Sequence, residues 1–344
     1  MNYLTEYADI SFSQHPFTAV DALVLCQLSY PKIDRIVPAD GFMGLKEVAE
    51  HPDSEEMYTD RLFGEMYREF VSKVAASERY SGFEAGMFRE TVDEAEEYQF
   101  AAVTFRMPGD RHFVAFRGTD EKVVGWKEDF NMGHLRAVPS QKIALDYLNG
   151  VPGAGPVFVG GHSKGGSQAI YASAKADKSI SERITGIYSF DGMGLGEDFY
   201  SIPEYEKIRG RITKIIPDES IIGTLFESPE NCLIVKSDGR GIKQHDFMKW
   251  HVTEGHFEYC DGLKPAAALL AERLKKWINS LDGEERKKFV DSIYSLVVAC
   301  KPEEIYSLGD DAVNKVITVL NEFRGMDEGS REDIIRVLIK LVRA

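Results

Sequence analysis

Val157-Phe-Val-Gly-Gly-His-Ser-Lys-Gly-Gly166 decides the reading of this chain. A short apolar run leads into Gly161-x-Ser163-x-Gly165, and a helix-favouring run, Ser167 to Lys178, follows at once. A strand that ends at a serine and turns directly into a helix is a nucleophile elbow. Small residues two before and two after the serine let the strand and helix backbones approach. The turn lifts the hydroxyl clear of the sheet and aims the first helical N–H groups at an oxygen that becomes negative. Ser163 is therefore the candidate nucleophile.

A serine needs a base, an acid to orient that base, and an oxyanion hole. Upstream, Arg111-His-Phe-Val-Ala-Phe-Arg-Gly-Thr-Asp120 is a β-favouring run that ends in Arg117-Gly118-Thr119. As a strand beside the elbow it brings the N–H of Thr119 to the oxyanion. The second N–H comes from Lys164, the residue after the nucleophile.

Together, Phe116-Arg-Gly-Thr119, Trp126, Asp129 and Gly161-His-Ser-x-Gly-Gly166 resemble the class 3 (fungal triacylglycerol) lipases of the α/β-hydrolase superfamily. A bacterial family of lipase-like hydrolases is closer still: it shares the Gly-His-Ser-Lys-Gly-Gly elbow, Ser189-Phe-Asp-Gly192 and Gln244-His-Asp246. Phe17, Asp21 and Gln27-Leu-Ser-Tyr30 fit it too, so the resemblance spans roughly residues 5 to 260. It implies an α/β-hydrolase fold, a mostly parallel sheet flanked by helices. It also implies that Glu121 to Met132 is a flap over the site, with Trp126 and Phe130 as substrate-facing candidates; a loop packed on the core is the alternative. Lys164 departs from the fungal pattern, which carries an apolar residue there. A cation in a first helical turn opposes the helix dipole. Two readings stand: the ammonium reaches solvent or a carboxylate, or it meets an anionic group of the substrate.

The superfamily's chain order is serine, acid, histidine. Of eight histidines, this leaves His245, His251 and His256. His245 follows a strand-like run, Cys232 to Ser237, and a turn, and it is the expected base. His162, inside the elbow, is expected to point away from the nucleophile. Two carboxylates end strand-like runs between serine and base: Asp191 after Ile184–Phe190, and Asp218 after Arg211–Pro217. The class 3 resemblance favours Asp218 as the acid, with Asp191 as the alternative and Glu219 third.

Outward from the motifs, residues 1–95 read as mostly helical, including Asp21–Leu28 and Glu55–Tyr80 with Leu62, Met66 and Phe70 on one side. Gln99–Phe105 and Phe113–Phe116 read as a hairpin around Pro108-Gly-Asp110. Strands then alternate with helices, the pattern of a mostly parallel sheet covered on both faces. Residues 1–260 thus form the expected hydrolase domain, and 261–344 an all-helical appendage. Its stripes include Phe289 and Leu296, then Val313, Ile317 and Leu320, then Ile334, Ile335 and Leu338, with Ser330-x-x-Asp333 as a cap. They read as faces packed on one another, and the region as a place for a protein partner or self-association.

Composition frames the function. Across 344 residues, 43% hydrophobic and 28% charged content is that of a globular chain. Net charge is −15, carried almost wholly by residues 1–260, which disfavours nucleic acid and anionic membranes as partners. No apolar run approaches the ~18 residues of a membrane span, and the first residues lack a basic and then apolar leader pattern. The four cysteines, widely spaced, read as free thiols of a reducing compartment, so a cytoplasmic protein is expected. The expected activity is serine-hydrolase cleavage of a small or lipid-like carboxylic ester, without metal or cofactor. A thioesterase, an amidase or peptidase, and a non-catalytic interaction protein on the same scaffold are the alternatives.

Overall fold

The computed structural model describes residues 3–38, 41–59, 64–120, 123–132, 135–226, 228–300 and 312–343. Leu62, Glu121, His134, and the side chains of Val313 and Leu338 lie outside them.

A nine-stranded sheet organises the chain. Its strands are β1 (Phe42–Gly44), β2 (Glu84–Asp93), β3 (Tyr98–Met107), β4 (Arg111–Phe116), β5 (Val157–His162), β6 (Ile184–Phe190), β7 (Ile212–Pro217), β8 (Cys232–Val235) and, after the small β9 (Val252–Thr253) and β10 (His256–Phe257) hairpin, β11 (Tyr259–Cys260). The order is β1-β2-β3-β4-β5-β6-β7-β8-β11. β4 through β8 are parallel, and antiparallel pairs close both ends. This is the α/β-hydrolase architecture expected from the sequence.

The alternation of side chains along each strand builds two cores. Phe113 and Ala115 point to one face, Val114 and Phe116 to the other. The first face is covered by the N-terminal helices, α1 (Tyr3–Glu6), α2 (Ala19–Gln27), α3 (Leu45–Glu50) and α4 (Gly64–Ala76). α2 is largely apolar and buried on every side from Val20 to Gln27. Its close seat depends on Gly160, where a Cβ would fall 2.9 Å from the Cys26 sulfur. Asp21 locks the layer: its carboxylate takes the Arg79 guanidinium at 2.7 Å and the hydroxyls of Tyr3 and Tyr80. The opposite face carries, after α5 (Val123–Asn131), helices α6 (Pro139–Asn149) and α7 (Lys164–Lys175), then the short α8 (Lys178–Ser181), α9 (Glu197–Tyr200) and α10 (Pro203–Ile208).

Two expectations are corrected. The mostly helical reading of residues 1–95 fails at its end, where Glu84–Asp93 is β2; a bulge between Gly86 and Arg89, with Met87 at φ 54°, interrupts its alternation. The elbow helix starts at Lys164, not Ser167. Gly165 and Gly166 are poor helix formers, but a Cβ on Gly165 would lie 2.1 Å from the Phe116 carbonyl oxygen.

Beyond residue 264 the described residues form α11 (Pro265–Asn279), α12 (Gly283–Ala299), and two further helices, Ala312–Gly325 and Glu328–Arg343. Trp277, Leu281 and Val337 form a small core there, and the Trp277 indole donates to the Val337 carbonyl at 2.8 Å. Ile317, Leu320 and Ile335 are nearly half exposed, so these stripes are not fully packed as expected. Ser330 lies inside its helix; Asp327 accepts its N–H at 2.9 Å and does the capping instead. α12 lies on α5. Among the described residues no helix is long and apolar enough to cross a membrane.

Candidate active site

Ser163 sits between β5 and α7 with φ 59° and ψ −132°, a backbone that L residues rarely adopt and that costs on the order of 1–3 kcal/mol. The surrounding glycines permit it. A Cβ on Gly161 would fall 2.2 Å from the Gly165 carbonyl carbon, and one on Gly166 would fall 2.5 Å from the Ser189 hydroxyl. The N–H of Ser163 is tied to the Phe190 carbonyl at 2.9 Å. Lys164 then opens the helix, so its N–H is among those that a helix leaves for an external acceptor.

The Arg-Gly-Thr segment lies beside this turn. A Cβ on Gly118 would be 2.9 Å from the Cβ of Ser163, so only glycine lets the loop pass there. Arg117, buried, runs back to Glu90 at 2.9 Å and Asp120 at 3.7 Å. The Thr119 hydroxyl donates to Asp129 at 2.7 Å. Burial pushes the Asp129 carboxyl up to about 6, against the opposing pull of Lys164 and the Thr119 hydrogen bond.

His245 lies past β8 on a short helical turn, its side chain about one-quarter exposed. Its Nδ1 meets Asp191 Oδ2 at 2.6 Å. Asp191 follows β6 directly and is buried. Its other oxygen accepts the Gly223 N–H at 3.1 Å and the Ser220 hydroxyl. Burial alone would raise this carboxyl; the bond to His245, that ring's charge and the Ser220 hydroxyl outweigh it and hold Asp191 below its ordinary value.

This geometry corrects the preference for Asp218. That carboxylate does not reach His245: Oδ1 accepts the Gln244 amide at 2.7 Å and Oδ2 lies 3.4 Å from the Lys264 ammonium. Asp218 thereby braces the loop that carries the histidine. Gln244 accepts the Glu219 N–H at 2.6 Å, and Trp250 donates to the Gln244 carbonyl at 2.8 Å. Glu219 pairs with Lys264 at 2.8 Å. His251 is engaged by Asp238 at 2.8 Å, and His256 packs on His15.

Lys164 takes the carboxylate reading, but not at the surface. Its ammonium is buried, 2.8 Å from both Glu128 Oε2 and the Gln99 carbonyl. Glu128, fully buried on α5, also accepts the N–H groups of Gln99 and Ser140. The cation is thus committed to the protein and not offered to a substrate. Sequence reading missed Glu128 because nothing local marks it as the partner of a residue on another helix. Of the segment read as a flap or a packed loop, Val123–Asn131 forms the helix α5; Val124 and, just past it, Met132 are buried, while Trp126 and Phe130 stand about 40% exposed. The four cysteines are free.

The sheet order and the helices on its two faces are those of a lipase-like α/β-hydrolase fold. The Mbeg1-like family model matches residues 74–295, well over half of the chain, and the chain belongs to that family. Among solved structures the chain is similar to M37 lipase at 14% identity, with 60% of this chain and 70% of that one covered and a TM-score of 0.39. It is likewise similar to the native Rhizomucor miehei lipase propeptide complex at 14% identity, with 63% and 68% covered and a TM-score of 0.37. No curated protein matches the chain.

Proposed function

We propose that this protein is a serine hydrolase that cleaves carboxylic esters through an acyl-enzyme, with Ser163 as nucleophile, His245 as base and Asp191 as acid. The observation that carries the reading is the 2.6 Å bond from His245 to buried Asp191, which directly follows β6, the strand adjoining the one that leads into the strained Ser163. In this mechanism Ser163 Oγ attacks the ester carbonyl while His245 takes its proton. The oxyanion is received by the N–H groups of Thr119 and Lys164, and the imidazolium is stabilised by Asp191. The C–O bond to the alcohol then breaks, and His245 returns the proton to the departing oxygen. Water, deprotonated by the same histidine, attacks the acyl-serine and releases the acid. A small or lipid-like ester suits an acidic chain that does not attract anionic surfaces.

Fluorophosphonate labelling tests the assignment. Wild type is expected to label, Ser163→Ala not at all, and His245→Ala and Asp191→Asn roughly 10²–10⁴-fold more slowly. Asp218→Asn is expected to lose far less. Absence of labelling in folded wild type, or a slower Asp218→Asn than Asp191→Asn, overturns it.

A further inference from the structure

The histidine inside the elbow is not aimed into bulk structure. The ring of His162 lies against that of His245, centroids 4.4 Å apart and tilted by 33°. His162 Nε2 is 3.0 Å from the main-chain carbonyl of His245. A carbonyl only accepts, so Nε2 carries the hydrogen. Nδ1 is then the bare nitrogen, and it lies 3.1 Å from the Tyr30 hydroxyl, which donates to it. The Tyr30 oxygen also faces the Gly118 N–H; a Cβ on Gly118 would fall 2.6 Å from it. Tyr30 is itself stacked on Tyr67, centroids 5.5 Å apart at 11°, and Tyr67 donates to buried Gln27 at 3.0 Å.

We infer that Tyr30 and His162 form a positioning pair for the base, linking the N-terminal helical layer and the Gly118 loop to the main chain of His245. The inference rests on the serine-hydrolase reading. Asp191 holds His245 by Nδ1 alone, which leaves the ring free to swing about that bond. His162 supplies the second and third constraints, a hydrogen bond to the His245 carbonyl and a surface against its ring. The arrangement requires His162 to be neutral, because two cationic rings at this spacing repel once His245 takes the serine proton. Burial, then the neighbouring His245, pulls the His162 ring down to about 3, which keeps it neutral and its tautomer fixed. The phenol of Tyr30, raised by burial, remains a donor. Neither residue touches the reacting atoms, so both act through His245.

The test uses the full chain and the rate of fluorophosphonate inactivation, resolved into its saturating rate and its half-saturating concentration. Tyr30→Phe keeps the stack on Tyr67 and deletes one hydroxyl; His162→Phe keeps a ring and deletes both polar nitrogens; His162→Gln keeps a donor for the carbonyl. Misplacing a catalytic group by about 1 Å can cost roughly 10²-fold, so His162→Phe is expected to lower the saturating rate by ~10–100-fold, with half-saturation unchanged. Tyr30→Phe is expected to lose less, His162→Gln to recover most of the loss, and the Tyr30→Phe/His162→Phe double variant to be no slower than His162→Phe alone. Strictly additive losses, or folded variants that react at the wild-type rate, overturn the positioning role while leaving the hydrolase reading intact. A folded wild type that does not label overturns the hydrolase reading instead. The low-field proton resonance of His245 Nδ1–H on Asp191 then still decides the pair: it is expected in wild type and expected to broaden in His162→Phe, and its persistence there overturns the pair.

Discussion

Asp129 carries a conflict within one residue. Its Oδ2 is satisfied by the Thr119 hydroxyl, while Oδ1 has only Lys164, 4.0 Å away. That ammonium already serves Glu128 and Gln99. The carboxyl therefore titrates at about 6, raised chiefly by burial, above its ordinary value near 3.9. A raised carboxyl favours folding in its neutral form, and that contribution is complete below the unfolded value and lost as pH rises through about 6. An asparagine keeps the acceptor for Thr119 and has no charge to bury. The stability of Asp129→Asn relative to wild type is expected to climb by up to about 3 kcal/mol between pH 4 and pH 7, read by urea unfolding at several pH values. A difference that does not change with pH contradicts the burial account.

At the scale of elements, α5 and α7 are joined through a buried ion pair, Lys164 with Glu128. Removing one member leaves the other charged, buried and alone, so Lys164→Met is expected to cost roughly 3–5 kcal/mol in denaturant unfolding. Lys164→Met/Glu128→Gln is expected to regain at least half of that. A harmless Lys164→Met would show that water reaches the pair. The same pair marks the limit of what the sequence discloses. The elbow, the Arg-Gly-Thr strand end and the alternation of strands with helices are legible because each is a local pattern set by backbone geometry. Chain order narrows the base to three histidines, and the strand-like run and turn before it single out His245. Nothing singles out the acid in the same way: Asp191 and Asp218 both end strands, and only the fold shows which oxygen meets the imidazole and which is held by Gln244 and Lys264. The partner of Lys164 is not legible in the sequence because it lies 36 residues away, in a segment read as either a flap or a loop packed on the core. β2 was hidden by its bulge, and Tyr30, although part of the Gln27-Leu-Ser-Tyr30 resemblance, gave no hint of its partner, because that hydrogen bond spans 132 residues.

Across the whole molecule, the C-terminal helices meet the site's outer wall where α12 lies on α5, and one cation bridges the two. The Lys127 ammonium on α5 lies 2.7 Å from Glu97, 3.5 Å from Asp291 on α12, and 4.5 Å from the centre of the Tyr294 ring. An ion pair of this partial exposure and a cation–π contact contribute roughly 1 kcal/mol between them, so Lys127→Met is expected to speed amide exchange in α12 and α5 about five-fold. β5 is expected to keep its protection; equal acceleration there would mean that the residue supports the entire fold. The order of the sheet has one more consequence. β4, β5 and β6 are immediate neighbours, and they deliver Thr119, Ser163 and Asp191 in turn. Adjoining strands lie about 4.8 Å apart, so in the proposed centre the sheet works as a ruler for Thr119, Ser163 and Asp191. Only His245 arrives by an excursion, on the stretch of chain between β8 and β11. Tuning of such a centre, by evolution or by an engineer, then concentrates on that one adjustable arm, because any change to the other three has to move a strand.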